Sequence, residues 1–398
     1  MHFSDVIDQQ LTKQHLANML LHQRLSHALL FLGKEGVGAL PLALAFAQYV
    51  TCENRQSSVN SDQPTINPNS QIVTQQLTDS CGICSSCIKA AQFVHPDIHY
   101  SYPVIPKKSG DKPISTDYIR DWREFLNAYP YGNVFDWLQQ IGAENKQGNI
   151  TAEECNDIIR KLSLKSFESE YKILIVWMPE YMGKEGNKLL KLIEEPPPDT
   201  LFILVAENDE AILPTILSRC QLVKLPAPDD ADIREALHVR CNLPLAKAQQ
   251  IAAIVQGNYR EALQQLQHAE EDWQSLLSDW LKFIIRRMLP EQLKWLDDIN
   301  KLGREKQKQF LRYFNHLIGQ SIRIKVLGTD SIAMLDNERD FAQRLGKIAS
   351  VSQQHVMSEE LDKAIYYIER NAHAKMLFHA LTIKLFHIIQ DKALILTE

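Results

Sequence analysis

The run Tyr171-Lys172-Ile173-Leu174-Ile175-Val176-Trp177, with the segment that follows it to Leu225, decides the fold. Ile173–Trp177 is an uninterrupted apolar strand. A helical stretch, Asn187–Ile193, follows and is closed by Glu194-Glu195-Pro196-Pro197-Pro198. Three prolines end a helix because each lacks an N–H and clashes with the preceding turn. A second apolar strand, Leu201–Ala206, comes next. A short helical segment, Ile212–Leu217, then delivers Ser218-Arg219-Cys220 to a third strand, Gln221–Leu225. Strands without polar alternation, joined through helices, predict a parallel sheet covered on both faces, an α/β fold.

Working outward, His27-Ala28-Leu29-Leu30-Phe31-Leu32 reads as another buried strand. It runs into Gly33-Lys34-Glu35-Gly36-Val37-Gly38-Ala39-Leu40 and a helix through Ala47. Strand, glycine loop and helix form the setting of a phosphate-binding loop, in which backbone N–H groups and a helix N-terminus face phosphate. Gly33 and Gly38 have the required spacing. Ala39 and Leu40, however, stand where the pattern needs lysine and Ser/Thr. Lys34 lies at the wrong end of the loop to replace that lysine, and Pro41 removes an N–H from the first helical turn. The acidic pair that should end the Ile173–Trp177 strand, to hold Mg²⁺ and activate water, is replaced by Trp177-Met178, with Pro179-Glu180 beyond. The next strand ends in Ala206-Glu207-Asn208. Three parts of one ATPase site are missing together, so hydrolysis by this chain is not expected. Residues 4–25 read as an amphipathic helix pair, with Leu11, His15, Leu16, Met19 and Leu20 on one face.

Cys81-Gly82-Ile83-Cys84-Ser85-Ser86-Cys87 supplies three thiols at zinc-knuckle spacing. A tetrahedral Zn²⁺ site wants a fourth ligand, and both Cys52 and His95 are available. Cys155, Cys220 and Cys241 are scattered and read as small buried residues. Two segments interrupt the α/β pattern. Residues 53–80 are rich in Ser, Gln, Asn and Pro and read as a surface insertion. Residues 103–147 combine Lys107 and Lys108 with Trp122, Phe125, Tyr129, Tyr131, Phe135 and Trp137. Those aromatics either form a local core or stack on single-stranded nucleic acid. A helix over 151–164, with Ile158, Ile159 and Leu162 as its apolar face, leads back to the sheet.

After Pro226-Ala227-Pro228 only helical periodicity remains. Positions such as Leu276, Trp280, Phe283, Ile284 and Met288 predict a helical bundle. The chain of 398 residues divides into 1–228, 229–269 and 270–398 on this reading. A net charge of −6 argues against a surface built as a whole for nucleic acid. The absence of a long apolar run and of a basic, apolar leader predicts a cytoplasmic protein with reduced thiols and no membrane partner.

The Asn187–Pro197 and Leu213–Cys220 elements, together with the cysteine knuckle, resemble the delta-prime-type subunits of bacterial DNA polymerase III clamp loaders, of the AAA+ superfamily. The resemblance covers residues 1 to about 265 by motif and the remainder by position. It implies Cys52 as the fourth ligand, giving a structural Zn²⁺ on Cys52, Cys81, Cys84 and Cys87. It implies that Arg219, framed by Ser218 and Cys220, reaches a nucleotide held by a neighbouring subunit. It makes Arg260, in Gly257-Asn258-Tyr259-Arg260-Glu261-Ala262-Leu263, a nucleotide-sensing arginine or, with the loop broken, a structural cation. Gly33, Gly36 and Gly38 become a relic loop without bound ATP. The implied partners are motor ATPase subunits, a clamp-opening subunit, the sliding clamp and primer-template DNA. The rival readings are a zinc-containing nucleic-acid-binding protein and an AAA+ ATPase with an unconventional phosphate loop.

Overall fold

The computed structural model describes residues 1–54, 79–108, 110–143, 146–267, 273–328, 336–369 and 372–390. The 53–80 insertion therefore lies almost entirely outside the described residues. The chain forms two compact units, Met1–Gln267 and His268–Glu398.

In the first unit, five parallel strands form one sheet: β1 (Ala28–Leu32), β2 (Ile98–Ser101), β3 (Lys172–Trp177), β4 (Thr200–Ala206) and β5 (Gln221–Lys224), in the order β2-β3-β4-β1-β5. Leu29 pairs with Ile203 on one side and with Gln221 on the other. Side chains alternate between two cores, as the period of a strand requires. Phe31, Ile175, Trp177, Ile203 and Val223 face one core. Leu30, Leu174, Val176, Phe202 and Leu204 face the other. β5 is an edge strand, and only Val223 of its four residues is buried.

On the first face lies α2 (Ala39–Thr51), every residue of which is buried. It can be apolar all round because the sheet lies on one side and α1 (Gln10–Leu21), the Phe3–Asp5 turn and α3 (Ser85–Ala91) pack against it elsewhere. α1 is a single helix preceded by a one-turn 3₁₀ segment, Phe3–Asp5, not a helix pair. Leu11 and His15 are exposed, whereas Lys13, Leu16, Ala17 and Leu20 are buried. Lys13 donates to the Val6 carbonyl at 2.7 Å, which lets the face rotate around an inward lysine.

The 103–147 segment folds as α4 (Ile119–Ala128) and α5 (Val134–Gln140), with its aromatics turned inward. Trp122, Phe125 and Trp137 are buried. Trp122 stacks on Tyr102 at 4.0 Å and meets Trp137 edge-on at 5.2 Å. Trp177 of β3 joins this cluster, 5.1 Å from Trp122 and 5.7 Å from Phe125. With Tyr129 the one clearly exposed ring of the six, the segment is built as a core and offers no row of faces for stacking bases.

The second face carries α6 (Ala152–Ser163), the 3₁₀ stretch Pro179–Leu189, α7 (Leu190–Glu194) and α8 (Pro214–Leu217). The sequence predicts a regular helix from Asn187. The backbone instead stays 3₁₀ to Leu189, broken at Gly183 (φ 50°), and only α7 is α-helical. Ile159 of α6 is exposed, narrowing the predicted apolar face to Cys155, Ile158 and Leu162. Cys155 is fully buried, but Cys220 and Cys241 are only half-buried, so the expectation of three buried cysteines holds for one. Three further helices, α9 (Asp230–Cys241), α10 (Leu245–Val255) and α11 (Tyr259–Gln267), complete the unit.

The second unit is helical: α12 (Trp273–Arg286), α13 (Leu289–Lys301), α14 (Arg304–Leu327), α15 (Asp336–Ile348), α16 (Val351–Glu369) and α17 (Ala374–Gln390). Its centre is Trp280 stacked on Trp295 at 4.7 Å, with the Trp280 indole N–H donating to Thr382.

Two expectations follow. Trp122→Ala removes a fully enclosed ring and lowers stability by about 3–5 kcal/mol in urea unfolding. His99 on β2 is held neutral by burial, aided by Lys161, with its pKa lowered to about 4. Its contribution is complete above the unfolded value near 6.5 and is lost as pH falls toward 4. The unfolding free energy of the wild type should therefore drop by about 1–3 kcal/mol between pH 7 and pH 4 from this group. His99→Gln should flatten that part of the profile.

Candidate metal centre and nucleotide-loop site

α2 ends at Cys52, its C-cap, and α3 (Ser85–Ala91) begins at Cys84, its N-cap. The two helix ends bring four thiols together. Among the described residues the sulfurs of Cys52, Cys81, Cys84 and Cys87 lie within 4.8 Å of one another, with Cys81 and Cys87 at 3.9 Å. Backbone N–H groups point at the sulfurs: Cys81 to Cys52 (3.3 Å), Cys84 to Cys81 (3.4 Å) and Cys87 to Cys84 (3.4 Å). N–H groups of Ile83 and Cys84 hold the Cys81 thiol down at about 6, while burial pushes Cys52 and Cys87 up. A soft tetrahedral ion would turn all four into thiolates. The donor set and its compactness fit Zn²⁺ closed to other ligands.

His95 does not join the four sulfurs. Its Nδ1 accepts from the Asp97 N–H (3.1 Å), and its Nε2 lies 2.8 Å from Ser86 Oγ and 3.4 Å from Glu168. Burial lowers its pKa, consistent with a neutral ring. Asp97 in turn accepts from the N–H groups of Phe167, Glu168 and Ser169, tying the knuckle to the sheet. The amino-terminal segment braces the other side: Phe3 and Ser4 donate to Asp79, and His2 Nδ1 lies 3.0 Å from Ser80 Oγ.

The glycine loop has the expected backbone, with Gly33 N–H on the Ala206 carbonyl and Gly36 and Gly38 at positive φ. Ala39 and Leu40 are buried rather than facing a ligand. Trp177 and Met178 line the loop with Pro130, Tyr131 and Gly132, around a cavity of about 30 Å³. A small-molecule pocket is roughly 300 Å³ or more, so this space suits a water or two. Glu180, with a pKa raised by burial, accepts from the N–H groups of Glu207 (2.7 Å) and Asn208 (2.9 Å), capping the end of β4.

Arg260 does not point to solvent. It is buried between Glu35 (2.9 Å) and Asp136 (2.5 Å). Glu35, Asn133 and Asp136 were not flagged by the sequence; a carboxylate inside a glycine loop, facing a buried arginine, was the available signal. Arg219 lies at the end of α8. It is ion-paired with Glu194 and donates to the Thr215 carbonyl at 2.7 Å. Its side chain stays 32% exposed. The Glu-Glu-Pro-Pro and Ser-Arg-Cys elements thus meet through one ion pair.

A parallel sheet in this order, with a glycine loop after β1 and helices α9–α11 after β5, defines an AAA+-type α/β protein. The family described as DNA polymerase III, delta subunit, matches residues 8–229, and the chain belongs to that family. The DNA polymerase III subunit delta-prime of Bacillus subtilis is 26% identical over 207 residues, 52% of this chain and 44% of that one. The delta-prime subunit of Pseudomonas aeruginosa is 24% identical over 327 residues, 74% of this chain and 81% of its own length. The tau/gamma subunit of Haemophilus influenzae is 24% identical over 267 residues, 66% of this chain and 30% of that one. The chain spans less than half the length of the first and last of these relatives. No described helix is long and apolar enough to cross a membrane.

The metal assignment is tested by elemental analysis. One Zn²⁺ per chain is expected, and its removal by a chelator should lower the thermal midpoint by about 10 °C or more. Cys87→Ser should lower both zinc content and midpoint.

Proposed function

We propose that this chain is a non-hydrolysing subunit of a DNA polymerase III clamp loader that supplies Arg219 in trans to a neighbouring ATPase subunit. The observation that carries this reading is the closed glycine loop. With about 30 Å³ beside it, and with Trp177 and Met178 where acids would hold Mg²⁺, the chain's own loop offers nothing to ATP. Family membership brings the setting, since relatives of the same family are named as polymerase III subunits.

Arg219 has the chemistry for the role. Its guanidinium offers five donors in a planar fork, always charged. Glu194 and the Thr215 carbonyl hold that fork at a surface, partly open to solvent. A γ-phosphate presented by a neighbour would compete with Glu194 and draw the fork across. There it would stabilise charge developing on the transferred phosphoryl group. Zn²⁺, where bound, supplies a cross-link between the end of α2 and the start of α3 and takes no part in the chemistry. Cys52, Cys81, Cys84 and Cys87 would hold it. We assign residues 229–269 as the lid and 270–398 as the domain through which the subunit assembles with its partners. Motor subunits, a clamp-opening subunit, the sliding clamp and primed DNA are the partners this role requires.

The test is clamp- and DNA-stimulated ATP turnover by the reconstituted assembly. Arg219→Ala should lower turnover by at least about tenfold, against the roughly thousand-fold or greater effect of arginine fingers elsewhere, with assembly intact and the isolated chain inactive. Unchanged turnover would reduce Arg219 to a surface ion-pair partner of Glu194.

A further inference from the structure

The glycine loop is closed by charge as well as by volume. Glu35, at its tip, accepts from Asn133 Nδ2 (3.0 Å), Asn258 Nδ2 (3.3 Å) and Arg260 Nη1 (2.9 Å). Arg260 also forms a two-pronged pair with Asp136, Nε to Oδ2 at 2.5 Å and Nη2 to Oδ1 at 2.6 Å. The Gly36 carbonyl accepts from the Tyr259 N–H at 3.2 Å. A Cβ at Gly36, where φ is 76°, would fall 1.9 Å from Asn258 Oδ1, so loop and lid touch at a position that only glycine allows. Tyr131 covers Gly38, accepts from the Ile7 N–H at 3.0 Å and lies edge-on to Tyr259 at 4.9 Å.

A glycine loop at a helix N-terminus and a lid cation facing it are the two halves of an anion seat. Here the negative charge between them comes from carboxylates of the chain. Asp136 engages the guanidinium with the same fork geometry that phosphate oxygens use. The guanidinium is 4% exposed. A cation at that depth needs both partners, because an unpaired buried charge is strongly destabilising.

We infer that residues 130–136 act as an internal substitute for a nucleotide, with Tyr131 filling the space above the loop and Asp136 joining Arg260 and Glu35 to hold α9–α11 against it. The lid is then fixed in one orientation without any ligand. This rests on the reading that the chain holds no nucleotide of its own.

The test is amide hydrogen exchange on the full chain, with Mg²⁺–ADP titrated separately. Asp136→Asn keeps the side-chain shape and an acceptor but removes the charge. It should speed exchange in Asp230–Cys241 and Tyr259–Gln267 by about tenfold or more, leaving β3 and β4 unchanged. Arg260→Lys, which loses the fork and keeps the charge, should do the same and carries the test if Asp136→Asn fails to fold. Unmoved lid exchange, or a rise shared equally by sheet and lid, would overturn the inference. Mg²⁺–ADP binding by the wild type would overturn the reading beneath it instead.

Discussion

A parallel sheet has two apolar faces and no way to hide either by itself. That constraint orders the whole first unit. One face is covered by α6, the 3₁₀ stretch Pro179–Leu189, α7 and α8, and the last of these leads into Arg219. The other is covered by α2, which is itself apolar all round and must be covered again. α3, α1 and the Phe3–Asp5 turn supply that second covering, and the 103–147 segment extends the layer over the end of β3 through Trp122, Phe125 and Trp137. Trp177 lies where the sheet meets this added layer. Its place at the end of β3 is the one that an acid would occupy in a magnesium site. The ring at the end of β3 and the extra core are therefore one feature.

Charge is handled with the same economy. Buried ions are tolerated only when their hydrogen bonds are filled. Arg260 meets this with two carboxylates, and Asp97 with three backbone donors that outweigh its burial and hold its pKa below the usual range. Arg219 is the contrast. It is paired once, at the surface, by a carboxylate that is itself 44% exposed. An exposed pair of this kind is weak, which is what the role proposed for Arg219 would require.

Much of this architecture could be read from residue order. The apolar strands, the glycine loop, the proline stop after Glu195 and the Cys-x₂-Cys-x₂-Cys knuckle are local patterns with local causes. What escaped was set by distant packing. Nothing near Leu11 or His15 says that α1 turns Lys13 inward to reach the Val6 carbonyl. Nothing near Asn187 says that the chain stays 3₁₀ until Leu190. The clamp on Arg260 joins residues more than a hundred positions apart, from a loop, an inserted helix and the lid. Periodicity has no access to such a contact. The aromatic content of 103–147 was visible, but whether it faced a core or a ligand depended on its packing against Trp177 of the sheet.

The position of Trp177 also bears on how such a chain can change over generations. A carboxylate placed there would be set among the rings of Trp122 and Phe125, where a charge is costly to bury. The ring it replaced would leave a void in a closely packed cluster. Accommodating an acid at residue 177 would thus require the 103–147 layer to be rebuilt at the same time. Stability alone therefore holds an aromatic ring at 177, and several changes would have to arrive together to replace it.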